Sequence, residues 1–338
     1  MSEITGTTWT CYDATTMTAR EIYGRVLAEL SDQDPRIVGL SADLAKSTAI
    51  SIFEKRHPER FFNVGIAEQN LMGVAAGMAK TGLIPFASTF AAFASMRACE
   101  QVRTDICYQN LPVKIIATHG GMSFGAAGTT HHCTEDLAIM RSFANMTVIV
   151  PADGIETANA VRAVKDLPGP AYIRIGRGFE PPFYETEDYG FQIGRAREIH
   201  PGTDLTIISC GIGVLQSFEA ARMLKESDGL SVRVLNMHTI KPIDREAILS
   251  AVMETRRILT VEEHNVLGGL GSAVADVIAE SGKGCAFAKI GLPDSYAVMG
   301  YPEDLYAHYG LDANGIMEAV RKLLKVEFEE DEDWNDEV

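Results

Sequence analysis

Three groups of residues in this chain are of types that do chemistry. Glu68 follows Phe61-Phe-Asn-Val-Gly-Ile-Ala and opens a run of glycine, alanine and valine with the look of a helix. A carboxylate at a helix start is ordinarily a favourable charge at the positive end of the helix dipole. In a site it can also give or take a proton. Phe90 and Phe93 lie three residues apart, a spacing that suits a core pair or a stacking platform. The third group is Thr118-His119-Gly-Gly-Met-Ser-Phe-Gly125-Ala-Ala127-Gly-Thr-Thr-His131-His132. Clustered histidines suggest a metal, but no carboxylate stands at ligand spacing. A glycine-rich run after an apolar strand favours a substrate-facing loop instead.

Such residues need rigid elements behind them. Apolar β-rich runs occur at 36–40, 84–88, 113–117, 147–150 and 171–175, and again at 205–209, 232–235, 258–261 and 287–290, with helical stretches between. Continuous apolar strands alternating with helices predict an α/β protein with mostly parallel sheets covered on both faces. The 338 residues fit two such domains of roughly 150 residues each. We expect the first at 13–178, a Pro/Gly/acid-rich linker at 179–195, the second at 196–325, and a disordered acidic tail at 326–338. Gly211-Ile-Gly213 lacks the third glycine of a nucleotide-binding turn, since Gln216 stands there, and reads as a plain strand-to-helix turn.

With 46% hydrophobic and 22% charged residues, and no apolar run near the ~20 residues of a membrane helix, the composition is that of a water-soluble protein. The start carries no basic region followed by an apolar stretch, so a cytoplasmic protein is the expectation. Six scattered cysteines without a C-x-x-C pair argue against a zinc site or a disulfide framework. A net charge of −16 disfavours a nucleic-acid partner.

The order of these motifs, with Thr89-Phe90-x-x-Phe93 after the glycine-rich helix, resembles the pyrimidine-binding domain of transketolases. More distantly it is similar to 1-deoxyxylulose-phosphate synthases and the β-subunits of 2-oxo-acid dehydrogenases. The resemblance runs from about Arg20 to Lys325 and implies a pyrimidine-binding domain followed by a transketolase C-terminal-like domain. It implies that Glu68 meets N1′ of the aminopyrimidine of thiamine diphosphate and drives the proton relay that makes the cofactor a carbon nucleophile. Phe90 and Phe93 would pack on the pyrimidine. Met96 replaces the family's usual aromatic residue with a thioether that can still contact a ring, and Asp43 would lie near the thiazolium side or else cap the following segment.

The same resemblance implies that Arg20, Ser47, His119 and Arg177 converge on the substrate's phosphate, or on a sulfonate, which satisfies the same donors. His131 would bond the substrate's hydroxyl or carbonyl oxygens and assist proton transfer. Ala127 stands where transketolases usually carry an aspartate that recognises the acceptor's C2 hydroxyl, which puts acceptor preference in doubt. The Gly-Asp-Gly and downstream asparagines that hold Mg2+ and the diphosphate have no counterpart; Ala152-Asp153-Gly154 is the nearest string. No metal ligand is therefore assigned to this chain. The expected partner is a separate N-terminal-half subunit carrying the diphosphate/Mg2+ site, in an α2β2 heterotetramer with a homodimeric contact between copies of this chain.

The expected activity is transfer of a two-carbon ketol unit between a ketose phosphate and an aldose phosphate, in pentose-phosphate carbohydrate metabolism. Alternatives are a 2-oxo-acid dehydrogenase β-subunit, a deoxyxylulose-phosphate synthase-like enzyme or a non-catalytic assembly subunit. The C-terminal domain is expected to serve assembly, with His264 a core or interface residue.

Overall fold

The computed structural model describes residues 11–178 and 180–327. Most of the expected acidic tail, from 328 on, therefore lies outside the described residues. The strands in chain order are β1 (Ile37–Ser41), β2 (Phe61–Asn63), β3 (Ile84–Phe90), β4 (Lys114–Thr118), β5 (Thr147–Ile149), β6 (Ala171–Arg174), β7 (Arg197–His200), β8 (Leu205–Ser209), β9 (Val232–Asn236), β10 (Thr239–Lys241), β11 (Arg257–Asn265) and β12 (Ala286–Leu292). They form a seven-stranded sheet ordered β10-β5-β6-β4-β3-β1-β2 and a five-stranded sheet ordered β12-β11-β8-β9-β7. Both are parallel except for one antiparallel edge strand each, β10 against β5 and β7 against β9. The α/β reading is correct, and the apolar runs became these strands because helices on both faces bury them completely.

Two short edge strands, β7 and β10, were not foreseen, and β2 is shorter than the β-like segment expected to run up to Glu68. β2, β7 and β10 are three or four residues long and partly exposed at sheet edges, so they carry no continuous apolar run. β10 is the most consequential: it follows β9 of the second sheet yet pairs with β5 of the first. The buried apolar cluster is likewise continuous, running from Val148, Val150 and Tyr172 to Ile208, Leu235 and Ile240.

Parallel pairing puts the carboxyl ends of β1, β3, β4 and β6 along one edge of the first sheet. The helix Ala19–Gln33 reaches the same edge with its N-terminus, which is fixed by a reciprocal capping box between Thr18 and Glu21. Its inner face buries Ile22, Tyr23, Val26 and Leu27, and the Tyr23 hydroxyl meets Ser88 of β3 at 2.6 Å. Segment 180–195 is irregular but not loose: Phe183, Tyr184, Tyr189 and Phe191 pack on the first core, with Tyr184 and Tyr189 stacked at 3.8 Å.

Polar links seal the junction between the sheets. Arg174, at the end of β6, lies 3.3 Å from Asp136 and donates to the Glu263 carbonyl of β11 at 2.7 Å. Asn236 of β9 donates to both oxygens of Glu156 and to the Tyr184 hydroxyl. His264, expected to be a core or interface residue, is fully buried and receives the Ala138 N–H. Among the described residues, no helix is long and apolar enough to cross a membrane.

Arg174→Met would leave Asp136 and Glu263 as buried carboxylates without their cation. It should lower unfolding free energy by about 3–5 kcal/mol, measured by urea denaturation; a midpoint unchanged from wild type would contradict this account of the junction.

Candidate active site

Glu68 is the first residue of the helix Glu68–Lys80 and is 2 % exposed. The preceding strand ends earlier than the sequence suggested, at Asn63, and residues 64–67 bring the chain to the helix start. Among the described residues its carboxylate receives no hydrogen bond; the Arg97 guanidinium stands 3.8 Å away. Arg97 also lies over the Phe93 ring at 5.1 Å, so one cation joins the carboxylate to the aromatic wall. Arg97 had no signal by itself in the sequence. It is recruited because the segment Phe93–Arg97 winds as a π-helix, a distortion frequent at functional sites.

The aromatic wall follows from strand register. Phe90 ends β3 opposite Thr118 of β4, so the next residue of β4's exit, His119, meets Phe90 with ring centres 3.8 Å apart. Phe93 stacks on Phe90 at 5.5 Å and 23°. His131 presents its ring edge-on to Phe93 at 5.7 Å, and Phe124 stands 5.1 Å from His119 and 5.5 Å from His131. Phe124 was not singled out from sequence, although it sits inside the histidine run. Only folding that run back, through the Gly121–Cys133 bridge, brings it between the two imidazoles.

His119 holds a left-handed backbone, φ +61°, a strain of about 1–3 kcal/mol that functional sites often store. Its Nδ1 lies 2.8 Å from the Thr118 hydroxyl, and His131 pairs in the same manner with Thr130 at 2.9 Å. Burial, with Arg20, Arg177 and His131 close by, pushes His119 down to about 3. It is therefore a neutral imidazole near pH 7.

Arg20, Ser47, His119 and Arg177, the residues expected to meet an anion, lie near one another. The Arg20 guanidinium donates to the carbonyl of Ser47 and, at 2.9 Å, to that of Arg177. Arg177 lies over Phe124 at 4.6 Å. Neither guanidinium forms an ion pair with a carboxylate among the described residues, which leaves both able to meet an oxyanion. Burial, then the charge of Arg177, holds Arg20 below its usual range.

Two residues expected near the cofactor, Met96 and Asp43, lie at the surface. Met96 is 45 % exposed, left to solvent on the rim because the π-helical turn directs Phe93 rather than Met96 to the stack. Asp43 is exposed, at φ +61°, and caps no helix; its N–H donates to Asn63 at 3.0 Å. In the Ala152-Asp153-Gly154 string, Asp153 is the N-cap of helix Gly154–Lys165. One carboxylate oxygen accepts the Glu156 N–H and the other those of Phe183 and Tyr184, so the side chain is committed to capping the helix and holding segment 183–184. No group of three potential metal ligands occurs among the described residues. Gly211 adopts φ +56° and the helix begins at Gly213, a plain turn as expected.

A buried glutamate without a hydrogen-bond partner, beside stacked rings open at one end, fits an aminopyrimidine that offers a ring nitrogen and a π-face. Among the described residues no comparable cluster of ligands faces a diphosphate-bound metal.

Comparison with known proteins agrees with this division. Residues 15–179 match the transketolase pyrimidine-binding domain and residues 194–316 the transketolase C-terminal domain. One subunit of the apulose-4-phosphate transketolase of Phocaeicola vulgatus is 40% identical over 306 residues, 90% of this chain and 97% of its own. The 6-deoxy-6-sulfo-D-fructose transketolase subunit of a Clostridium species is 37% identical over 307 residues, 90% of this chain and 94% of its own. A solved split-gene transketolase, described as an inactive β4 tetramer, superposes with a TM-score of 0.82 at 47% identity, covering 91% of this chain and 98% of that one. The chain belongs to the transketolase family of thiamine-diphosphate enzymes, of which it carries the pyrimidine-binding and C-terminal domains.

The neutral His119 makes a pH prediction. As pH falls below the unfolded value of 6.5, the unfolded chain binds a proton that the folded chain refuses until about 3, so stability is lost on acidification across that window. His119→Asn, which tolerates the left-handed backbone, should lose about 2 kcal/mol less than wild type between pH 7 and pH 5. Parallel urea titrations at the two pH values measure the difference.

Proposed function

We propose that this chain supplies the pyrimidine half of a ketol-transferring active site, and that a separate subunit supplies the half that binds the diphosphate and Mg2+. The observation that carries this reading is the continuous wall from Glu68 through Arg97, Phe93, Phe90 and His119 to Arg20 and Arg177. It has a buried carboxylate at one end, rings in the middle and, at the other, cations without a carboxylate partner among the described residues.

When bound, the cofactor supplies a carbon nucleophile for the ketose carbonyl. Glu68 would hold the proton at the pyrimidine's N1′, in a position closed to bulk water. Phe90 and Phe93 would orient the ring by stacking, and Met96 and Asp43 would lie at its margins. His131, with Nδ1 engaged by Thr130, would direct its other nitrogen to a substrate oxygen. His119, being neutral, would donate or accept a hydrogen bond without adding charge. Arg20, Arg177, Ser47 and His119 would hold the terminal anion of the sugar, phosphate or sulfonate.

In this reading the assembly is an α2β2 heterotetramer with contact between the two copies of this chain, active only with its partner. All six cysteines are free thiols, which fits a reducing, cytoplasmic setting and carbohydrate metabolism of the pentose phosphate kind.

The test is reconstitution with a diphosphate-binding transketolase subunit, thiamine diphosphate and Mg2+, followed by two-carbon transfer between phosphorylated sugars. Glu68→Gln should reduce the rate by about 10²–10⁴-fold; transfer at the wild-type rate would refute the assignment. Arg20→Ala should raise KM for phosphorylated substrates by about 10- to 100-fold, as expected for lost charge-assisted hydrogen bonds, while hardly changing KM for an unphosphorylated acceptor. Running the same pair of assays with sulfonated sugars decides which anion the site prefers.

A further inference from the structure

The turn that carries His131 is held both by its own hydrogen bonds and by contacts from the second domain. Gly125–Ala127 forms one 3-10 turn, and Gly128 follows at φ +72° and ψ −170°, a conformation that glycine alone adopts easily. The Gly128 carbonyl accepts the N–H of His131 at 2.9 Å and of His132 at 3.0 Å. Gly128 therefore fixes where both histidines leave the turn.

Gly128 bonds within the turn, its N–H to the Gly125 carbonyl at 3.3 Å, and a second constraint comes from the other domain. A Cβ at Gly128 would fall 2.8 Å from both Cγ and Sδ of Met299, so the thioether rests directly on the glycine's α-carbon. At the far end of the turn, a Cβ on Gly125 would overlap the Gly300 carbonyl, and the Gly300 N–H donates to the Gly125 carbonyl at 3.4 Å. The Thr129 hydroxyl reaches the Ala297 carbonyl, also at 3.4 Å. Residues 297–300 thus lie along the turn as a strap. The strap is held from behind, where Val298 N–H meets the Tyr309 hydroxyl at 3.1 Å and Gly300 packs on buried Leu305.

Met299 is 71 % exposed, so it adds little to the core, yet it touches the residue whose carbonyl receives the His131 N–H. We infer that Met299 of the C-terminal domain is a positioning residue for His131, and through it a determinant of how the acceptor sugar is engaged. The consequence for the acceptor rests on the ketol-transfer reading above; the positioning of His131 does not. With Ala127 in the same turn offering no polar side chain, the placement of His131 carries more of acceptor recognition. A soft, unbranched thioether suits a seat that must yield slightly as substrates differ.

Two readouts test this. In the isolated chain with ring-labelled histidine, the His131 resonance is assigned through His131→Asn. Met299→Ala should shift or broaden it, Met299→Leu should restore it, and the resonances of His57, His200 and His308 should stay in place. In the reconstituted enzyme, Met299→Ala should raise acceptor KM on the order of 10-fold, a misplacement effect, with kcat and donor KM within about 2-fold and Met299→Leu close to wild type. An unmoved His131 resonance in Met299→Ala overturns the inference, as does an acceptor KM equal to wild type. Equal losses for donor and acceptor together with a lower melting temperature would also overturn it, by making the residue merely structural. If the wild-type assembly transfers no ketol unit at all, the functional reading falls while the resonance still decides the positioning.

Discussion

Arg174 leaves β6 into the junction of the two sheets, where its guanidinium lies beside the Asp136 carboxylate and donates to the carbonyls of Cys133 and Glu263. A cation in that position is stable only because each of these groups is present; without them its desolvation would not be offset. The Glu263 carboxylate, pushed upward by burial against the pull of Arg174, accepts the Met122 N–H at 2.7 Å and the Tyr306 hydroxyl at 3.0 Å. Both ends of the loop from His119 to Cys133 are thereby tied to the second domain. Gly120 and Gly121 lie against Arg174 and the Glu263 carboxylate so closely that a side chain there would overlap them. The histidine loop is thus shaped by an ion network that neither domain could assemble from its own residues.

The site's electrostatics follow from the same shortage of space. Arg20 and Arg177 sit near one another with no ion-paired carboxylate among the described residues, and burial removes the charge of His119 rather than adding a third cation. At the other end Glu68 faces Arg97 across 3.8 Å, a pair half open to solvent and so worth little to stability. Its interest is chemical, because the contact leaves the carboxylate free of hydrogen bonds and able to accept one from a ligand.

The second domain emerges as more than a platform. It lends β10 to the first sheet, Glu263 to the base of the histidine loop and residues 297–300 to its tip. A continuous apolar cluster beneath these links gives them a common foundation. Relative displacement of the two domains would therefore disturb the site itself.

The sequence by itself determined the layered α/β architecture, because buried parallel strands must be apolar along their whole length, and it determined the chemical inventory of the site, because Glu68, the histidine run and the arginines are few and distinctively spaced. It left open what depends on close approach between distant segments. The edge strands β7 and β10 are too short to carry a pattern. Arg97 gains its role from a π-helical winding, Phe124 from the refolding of a glycine-rich loop, and Met299 from a contact with a turn far earlier in the chain. The exposure of Met96 and Asp43 was decided by backbone geometry, which residue type and order do not reveal. Residue type and order along the chain fix which groups a site can contain; only the packing of one domain against the other fixes where their atoms stand.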